Sequence, residues 1–329
     1  MIELNYQFAN DFINENLVNF YDKNLIPKFE IKKIAGDASF RSYYRISLKD
    51  KNFILMFAPP SHEEIKPFIN VAKYLQSNGF NAPKIYGIDY ENGFLLLEDF
   101  GDLTFSNALS SDLSNEFNYY KNACDVLLEL HKITPDQTFE EYNNQILFRE
   151  VALFVDWYLP HKNLSMSFQQ KADFKHLWFE LFDLLNKEKK VLVLRDYHAD
   201  NLMVINKQNN YKSVGLLDFQ DALIGIPAYD LVSLLDDIRR NIDPQNRQKL
   251  YDYFIKNCQI DPQIFLQNCE ILSLQRNIKI LGIFARLVNR DHKAKYLEYM
   301  PRVKYFIDLR LNSQNKIFSD IKKFLNYFL

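Results

Sequence analysis

The chain has 329 residues, 47% of them hydrophobic, with 28 Phe and 20 Tyr; this excludes intrinsic disorder and allows two sub-domains around sizeable cores. A formal net charge of −2 gives no electrostatic reason to expect nucleic acid or an anionic membrane as a partner. The three cysteines, Cys124, Cys258 and Cys269, have neither metal-ligand spacing nor an even disulfide count, which fits a reducing compartment.

No run approaches the ~18–20 apolar residues of a membrane-spanning helix. The first residues carry an acid early and no basic segment before an apolar run, so no signal peptide is expected. A soluble cytoplasmic protein is the expectation.

In chain order, Phe12, Ile13, Leu17, Phe20 and Tyr21 are spaced for a helix over 8–22, closed by Pro27. Strands are predicted at 31–34, 43–48 and 53–57. Between the first two lies Gly36-Asp37-Ala38-Ser39-Phe40-Arg41. It is either an ordinary hairpin turn or a loop whose backbone N–H groups and Ser39 hydroxyl lie over nucleotide phosphates. Pro59-Pro60 break the sheet. Ser61 and Glu64 form a capping-box pattern that opens a helix to about residue 76, with Phe68, Val71, Ala72 and Leu75 as its buried stripe. Strands at 84–88 and 94–97, joined by Glu91-Asn92-Gly93, complete a five-stranded antiparallel sheet with one inserted helix.

Composition shifts at Glu98-Asp99-Phe100-Gly101-Asp102, so the boundary is predicted there, with one lobe over 1–98 and a mostly helical one over 99–329. Phe117, Tyr120, Cys124, Leu127, Leu128 and His131 share a helix face, with His131 read as a satisfied core or loop-bracing histidine and not a catalyst. A second capping-box pattern, Thr138 to Glu141, predicts a helix over 139–159. It sets Glu150, Phe154, Trp157 and His161 along one side by steps of four, three and four. Trp157, flanked by Glu150, Asp156 and His161, is either a platform for a sugar ring or an anchor of helix packing.

The central stretch is Leu194-Arg195-Asp196-Tyr197-His198-Ala199-Asp200-Asn201. Two apolar runs follow, 202–205 and 214–217, with Asn209-Asn210 as the two-residue turn of a hairpin. That register pairs 205 with 214 and 201 with 218. It sets Asn201 beside Asp218, two oxygen donors suited to one Mg²⁺, with Asp196 just before them to act on a hydroxyl. Phosphoryl transfer needs this arrangement. Further on, Tyr229-Asp230-Leu231-Val232 opens a helix. Asp243-Pro244 and Asp261-Pro262 are N-caps followed by proline at the first helical position. The helix over 262–290 is apolar on most faces, and its basic line includes Arg276, Lys279, Arg286 and Arg290. Arg276 or Arg286 is a candidate to grip a carboxylate or phosphate.

Sheet, hinge, helical lobe and Arg-Asp…Asn…Asp-Phe together resemble the protein-kinase-like fold, an α+β bilobal architecture, and within it the aminoglycoside phosphotransferase and choline kinase group. Several segments look closer to the bacterial anomeric kinases that phosphorylate N-acetylmuramate and N-acetylglucosamine in cell-wall recycling. These are Gly36 to Arg41, Ala58-Pro59-Pro60, Asp218-Phe219-Gln220-Asp221-Ala222, Tyr229 to Leu235 and Phe284-Ala285-Arg286-Leu287.

The resemblance implies ATP and Mg²⁺ as cofactors and a small amino sugar as acceptor. Asp196 becomes the catalytic base, Asn201 and Asp218 the metal ligands, and Asp230 a structural brace. Gly36, Asp37, Ser39, Phe40, Arg41, Arg45 and the hinge residues Leu97, Glu98 and Asp99 become nucleotide contacts. Glu150, Asp156, Trp157, His198, Asp200 and Arg276 become candidates for the sugar. Two departures stand out. Met56 occupies the place of the third-strand lysine that grips phosphates in kinases, so Arg41 or Arg45 is expected to supply that charge. Phe57 stands where the anomeric kinases often have Asp. Alternative readings are an aminoglycoside- or choline-type phosphotransferase, or a pseudokinase scaffold. The sequence sets no expectation for oligomeric state.

Overall fold

The structure, a computed structural model, describes residues 4–23, 25–35, 40–185, 189–206 and 209–329. In chain order its elements begin with α1 (Tyr6–Leu17), β1 (Glu30–Ala35), β2 (Ser42–Ser47), β3 (Asn52–Phe57), α2 (Lys66–Ser77), β4 (Ile85–Asp89) and β5 (Phe94–Glu98). There follow α3 (Phe105–Ser111), α4 (Glu116–Leu130), α5 (Asn144–Leu153), a π-turn (Phe154–Tyr158), α6 (Leu159–His161) and α7 (Phe168–Asp183). Short strands β6 (Val191–Val193), β7 (Leu202–Val204), β8 (Val214–Leu216) and β9 (Leu223–Gly225) precede α8 (Ala228–Leu235), α9 (Pro244–Asn257) and α10 (Pro262–Asn289). The chain ends in α11 (Met300–Leu311) and α12 (Ser319–Leu325). Among the described residues no helix is long and apolar enough to cross a membrane.

The chain divides into two compact units, one of residues 1–108 with 200–221, the other of 109–199 with 222–329. The first holds the expected five-stranded antiparallel sheet, in the order β1-β2-β3-β5-β4. Alternation along the strands sorts its two faces. Tyr44, Ile46, Phe53, Leu55, Phe57, Phe94 and Leu96 form a core with Ala9, Phe12, Ile13 and Leu17 of α1. The opposite face is set by the register Tyr43–Met56–Leu95 and Arg45–Ile54–Leu97.

Helix α2 starts at Lys66, five residues after the expected cap, and no side chain caps it. Pro67, placed at N1/N2, decides this. Inside a helix begun at Ser61 it would lack a needed N–H and clash with the carbonyl four residues earlier, whereas in the first turn it costs nothing. The β7–β8 hairpin belongs to this unit through main-chain bonds. Val204 N–H donates to the Leu103 carbonyl at 2.8 Å and Leu216 N–H to that of Asn81 at 2.8 Å.

In the second unit, β6 pairs antiparallel with β9. Residues 140–142 are extended and not helical, because Ile224 N–H donates to the Glu140 carbonyl and Tyr142 N–H to that of Ile224, each at 2.8 Å. The helix therefore begins at Asn144, capped by the Asn143 side chain. It breaks into the π-turn after Leu153. Helix α10, buried along much of its length, crosses there. A Cβ on Gly282 would strike the main chain of Leu153, so only glycine allows this approach.

Candidate active site

In the first unit, Leu202 pairs with Leu216, Met203 with Gly215 and Val204 with Val214. The expected hairpin register is thus one residue out. Asn209-Asn210 is not a two-residue turn, since Asn210 caps a 3₁₀ turn at Tyr211–Ser213 by accepting the Lys212 N–H. Asn201 faces Leu217, whose N–H donates to its carbonyl at 3.0 Å. Asp218 still reaches Asn201, because its backbone turns into the left-handed region at φ 57°. The Asn201 amide lies 3.3 Å from Asp218 Oδ2, and the buried Gln220 donates to Asp218 Oδ1 at 3.0 Å.

A carboxylate beside an amide is a hard-oxygen donor set that fits Mg²⁺, provided the Asn201 amide turns its oxygen outward. Further ligands would come from phosphate and water. Among the described residues no group of three or more His, Cys, Asp or Glu forms a metal cage.

Of the nucleotide candidates, Gly36, Asp37 and Ser39 lie outside the described residues. Phe40 is exposed, its ring 4.4 Å from that of His62. The two arginines have different surroundings. Arg45 is held by acids of the hinge: Nε and Nη2 reach Asp99 at 2.6 and 3.1 Å, and Nη1 reaches Asp102 at 2.7 Å. Arg41 pairs with Glu63 at 3.1 Å just before α2. Burial alone would lower its guanidinium pKa, but Tyr43, Glu63, Asp221 and Asp218 outweigh this and raise it. Arg41 therefore shares an electrostatic neighbourhood with Asp218. Met56 is fully buried. In the hinge, Leu97 is buried, Glu98 bonds to the main chain of Lys84, and Asp99 also accepts the Gly101 N–H.

In the second unit, Asp196 is half-buried in a loop fastened by its main chain. Asp230, fully buried, accepts the N–H groups of Leu194 at 2.6 Å and Arg195 at 2.8 Å. Burial pushes the Asp230 carboxyl up to about 7, against the pull of those two donors. Ser233 Oγ donates to the Arg195 carbonyl at 3.0 Å, and Tyr197 Oη to that of Ala123 at 2.9 Å. Arg195 itself sits at φ 69°, a conformation L-residues rarely adopt.

The sugar candidates have different surroundings. Glu150, read as an acceptor for the sugar, is only 7% exposed. Both its oxygens are engaged by Arg195, Tyr142, Lys279 at 2.8 Å and Gln275 at 3.0 Å. The π-turn breaks the expected four-three-four spacing, leaving Asp156 exposed and Trp157 half-buried. His198 and Arg276 are both buried. Burial, Arg239 and Arg276 hold the His198 imidazole well below its usual range, hence neutral near pH 7. Asp200 belongs to the first unit, where Ser106 donates to it. His131 buries both ring nitrogens without a hydrogen-bond partner, and burial pushes its pKa down to about 3.

Sequence reasoning gave no role to Glu63, Tyr43 or Gln220, and saw Lys279 only as part of a basic line. Glu63 carried a readable signal, an acid just ahead of the helix that follows a lysine-less third strand. The others depend on contacts made far along the chain.

The family model described as "Phosphotransferase enzyme family" matches residues 30–258. The N-acetylmuramate/N-acetylglucosamine kinase of Pseudomonas aeruginosa is 34% identical over 285 residues, covering 84% of this chain and 82% of that protein. Its namesake from Pseudomonas putida is 32% identical, covering 90% and 89%. Among solved structures, a Plasmodium vivax ethanolamine kinase superposes with a TM-score of 0.65 at 13% identity, covering 97% of this chain and 92% of its own. An ADP-bound aminoglycoside phosphotransferase gives 0.58 at 14%, covering 92% and 98%. At such identities the structural likeness speaks for the fold alone, while the family match and the curated relatives speak for descent. The chain belongs to the phosphotransferase enzyme family and is an enzyme of phosphoryl transfer.

Proposed function

We propose that the chain transfers the γ-phosphoryl of ATP to the anomeric hydroxyl of a free amino sugar, N-acetylmuramate, N-acetylglucosamine or both, in the cytoplasm during peptidoglycan recycling. The observation that carries this reading is the Asn201–Asp218 pair at 3.3 Å, which follows the Asp196 loop in the chain; the names of the curated relatives support the acceptor. Asp196 aligns the acceptor hydroxyl and takes its proton. A hemiacetal hydroxyl is more acidic than an ordinary alcohol, so a carboxylate can serve as base. Mg²⁺ bound by Asn201 and Asp218 would neutralise charge on the phosphates.

Arg41 grips the nucleotide phosphates in place of the absent third-strand lysine, with Glu63 holding it. Arg45, engaged by Asp99 and Asp102, instead fastens β2 to the hinge. The hinge main chain at 97–99 receives the adenine. Positioning and electrostatics supply most of the rate, because little covalent chemistry falls to the protein.

The test is ADP release with Mg²⁺ and ATP over free amino sugars, sugar 6-phosphates, aminoglycosides and choline. Release is expected with N-acetylmuramate or N-acetylglucosamine and is expected to vanish in Asp196→Asn. Turnover confined to aminoglycosides or choline would refute the acceptor, and full activity in the variant would refute the base.

A further inference from the structure

We propose that Glu150 is a positioning residue for phosphoryl transfer: itself held by Lys279, it clamps the Arg195 guanidinium, and Arg195 fixes the main chain that presents Asp196. The inference rests on the reading of Asp196 as the catalytic base.

Two sets of contacts hold the loop. Asp230 and Ser233 fasten the main chain on either side of Arg195, but they leave the direction of its side chain open. Glu150 sets that direction from α5. Its carboxylate receives Arg195 Nη2, Lys279 Nζ at 2.8 Å, Gln275 Nε2 at 3.0 Å and the Tyr142 hydroxyl. The Arg195 guanidinium also lies over the Tyr142 ring at 5.5 Å. Lys279 reaches Tyr229 Oη at 3.3 Å, and Tyr229 precedes the bracing Asp230. Residue 142, the Arg195 loop, α5 and α10 thus meet at one buried carboxylate, and α8 joins them through Lys279.

Burying one anion with two cations carries a large desolvation cost, and apolar residues of similar volume can hold helices together as well. The cluster keeps a net positive charge, and the charge of Asp196 acts on both Arg195 and Lys279. Glu150 thereby anchors the side chain at the left-handed turn of Arg195 and keeps both cations within electrostatic reach of Asp196, which sets the orientation of the base.

The test is a double-mutant cycle on kcat with Glu150→Gln and Arg195→Met, in the full chain, well below each variant's melting temperature. Wild-type turnover is measured first; its absence with every acceptor refutes the kinase reading, whereas unaffected variants refute only the clamp. Glu150→Gln is expected to lower kcat by about 30-fold or more, with KM for ATP and for the acceptor within about twofold, the pattern of a group that acts only in the transition state. Added to Arg195→Met, it should cost almost nothing further, because the effect runs through Arg195. Additive losses would overturn the proposal, as would a raised acceptor KM at unchanged kcat, which marks a group that touches substrate. Should Glu150→Gln fail to fold, Tyr142→Phe removes one of the carboxylate's partners without changing charge. It should lower kcat by about threefold at constant KM, and an unchanged kcat there would overturn the clamp.

Discussion

At the scale of single residues, the roles proposed for the two arginines of β2 and its approach are separable by mutation. Arg41→Met should lower kcat/KM for ATP by about 10²-fold, the usual cost of losing one charged donor at a transferring phosphate, while sugar affinity holds. Arg45→Met should leave catalysis nearly intact but cost about 1–3 kcal/mol in urea unfolding, because it breaks charge-assisted bonds to Asp99 and Asp102. The reverse pattern would exchange their roles. Glu150 gives a pH signature. Burial raises its carboxyl, but Lys279 and Arg195 overcome this and bring it down to about 2. With a folded-state value below the ordinary 4.5, its contribution is complete above pH 4.5 and is lost as pH falls through about 2. The stability difference between wild type and Glu150→Gln should therefore shrink over that window, and a constant difference would contradict the ion-pair account. Glu150 also shows the limit of the sequence, where helical spacing gave it a face but not the partners that close it off.

At the scale of elements, much was legible. The five strands, the turn at Glu91-Asn92-Gly93, the buried stripe of α2 and the proline-started helices α9 and α10 followed from alternation, periodicity and caps. The errors share one cause, which is that a short local pattern lost to a competing constraint. The capping-box pattern at Ser61 lost to Pro67, and the one at Thr138 lost to main-chain pairing with β9. The Asn209-Asn210 turn lost to a longer connection, and the register moved by one residue. The left-handed turn at Asp218 brought it back to Asn201. The π-turn had no local sequence signal; what marks it is Gly282, five helices further along the chain, which lies against Leu153. Gly282→Ala should therefore destabilise by about 1–3 kcal/mol through overpacking, although alanine favours helices. Unchanged or raised stability in a thermal melt would show that α10 does not need this approach.

For the whole molecule, the chain passes between its two units after Ala108, Ala199 and Asp221. Asp196 falls in one unit, and Asn201 and Asp218 in the other. Family membership and fold follow from sequence and structure alike. The acceptor atom is the claim on which the functional account turns, because it separates an anomeric sugar kinase from phosphotransferases that share the fold. The most direct measurement is a two-dimensional proton–phosphorus correlation spectrum of the product made from N-acetylmuramate or N-acetylglucosamine with ATP. Coupling of the new phosphorus to the anomeric proton is expected; coupling to the protons at C6, or to any other ring position, would contradict an anomeric acceptor.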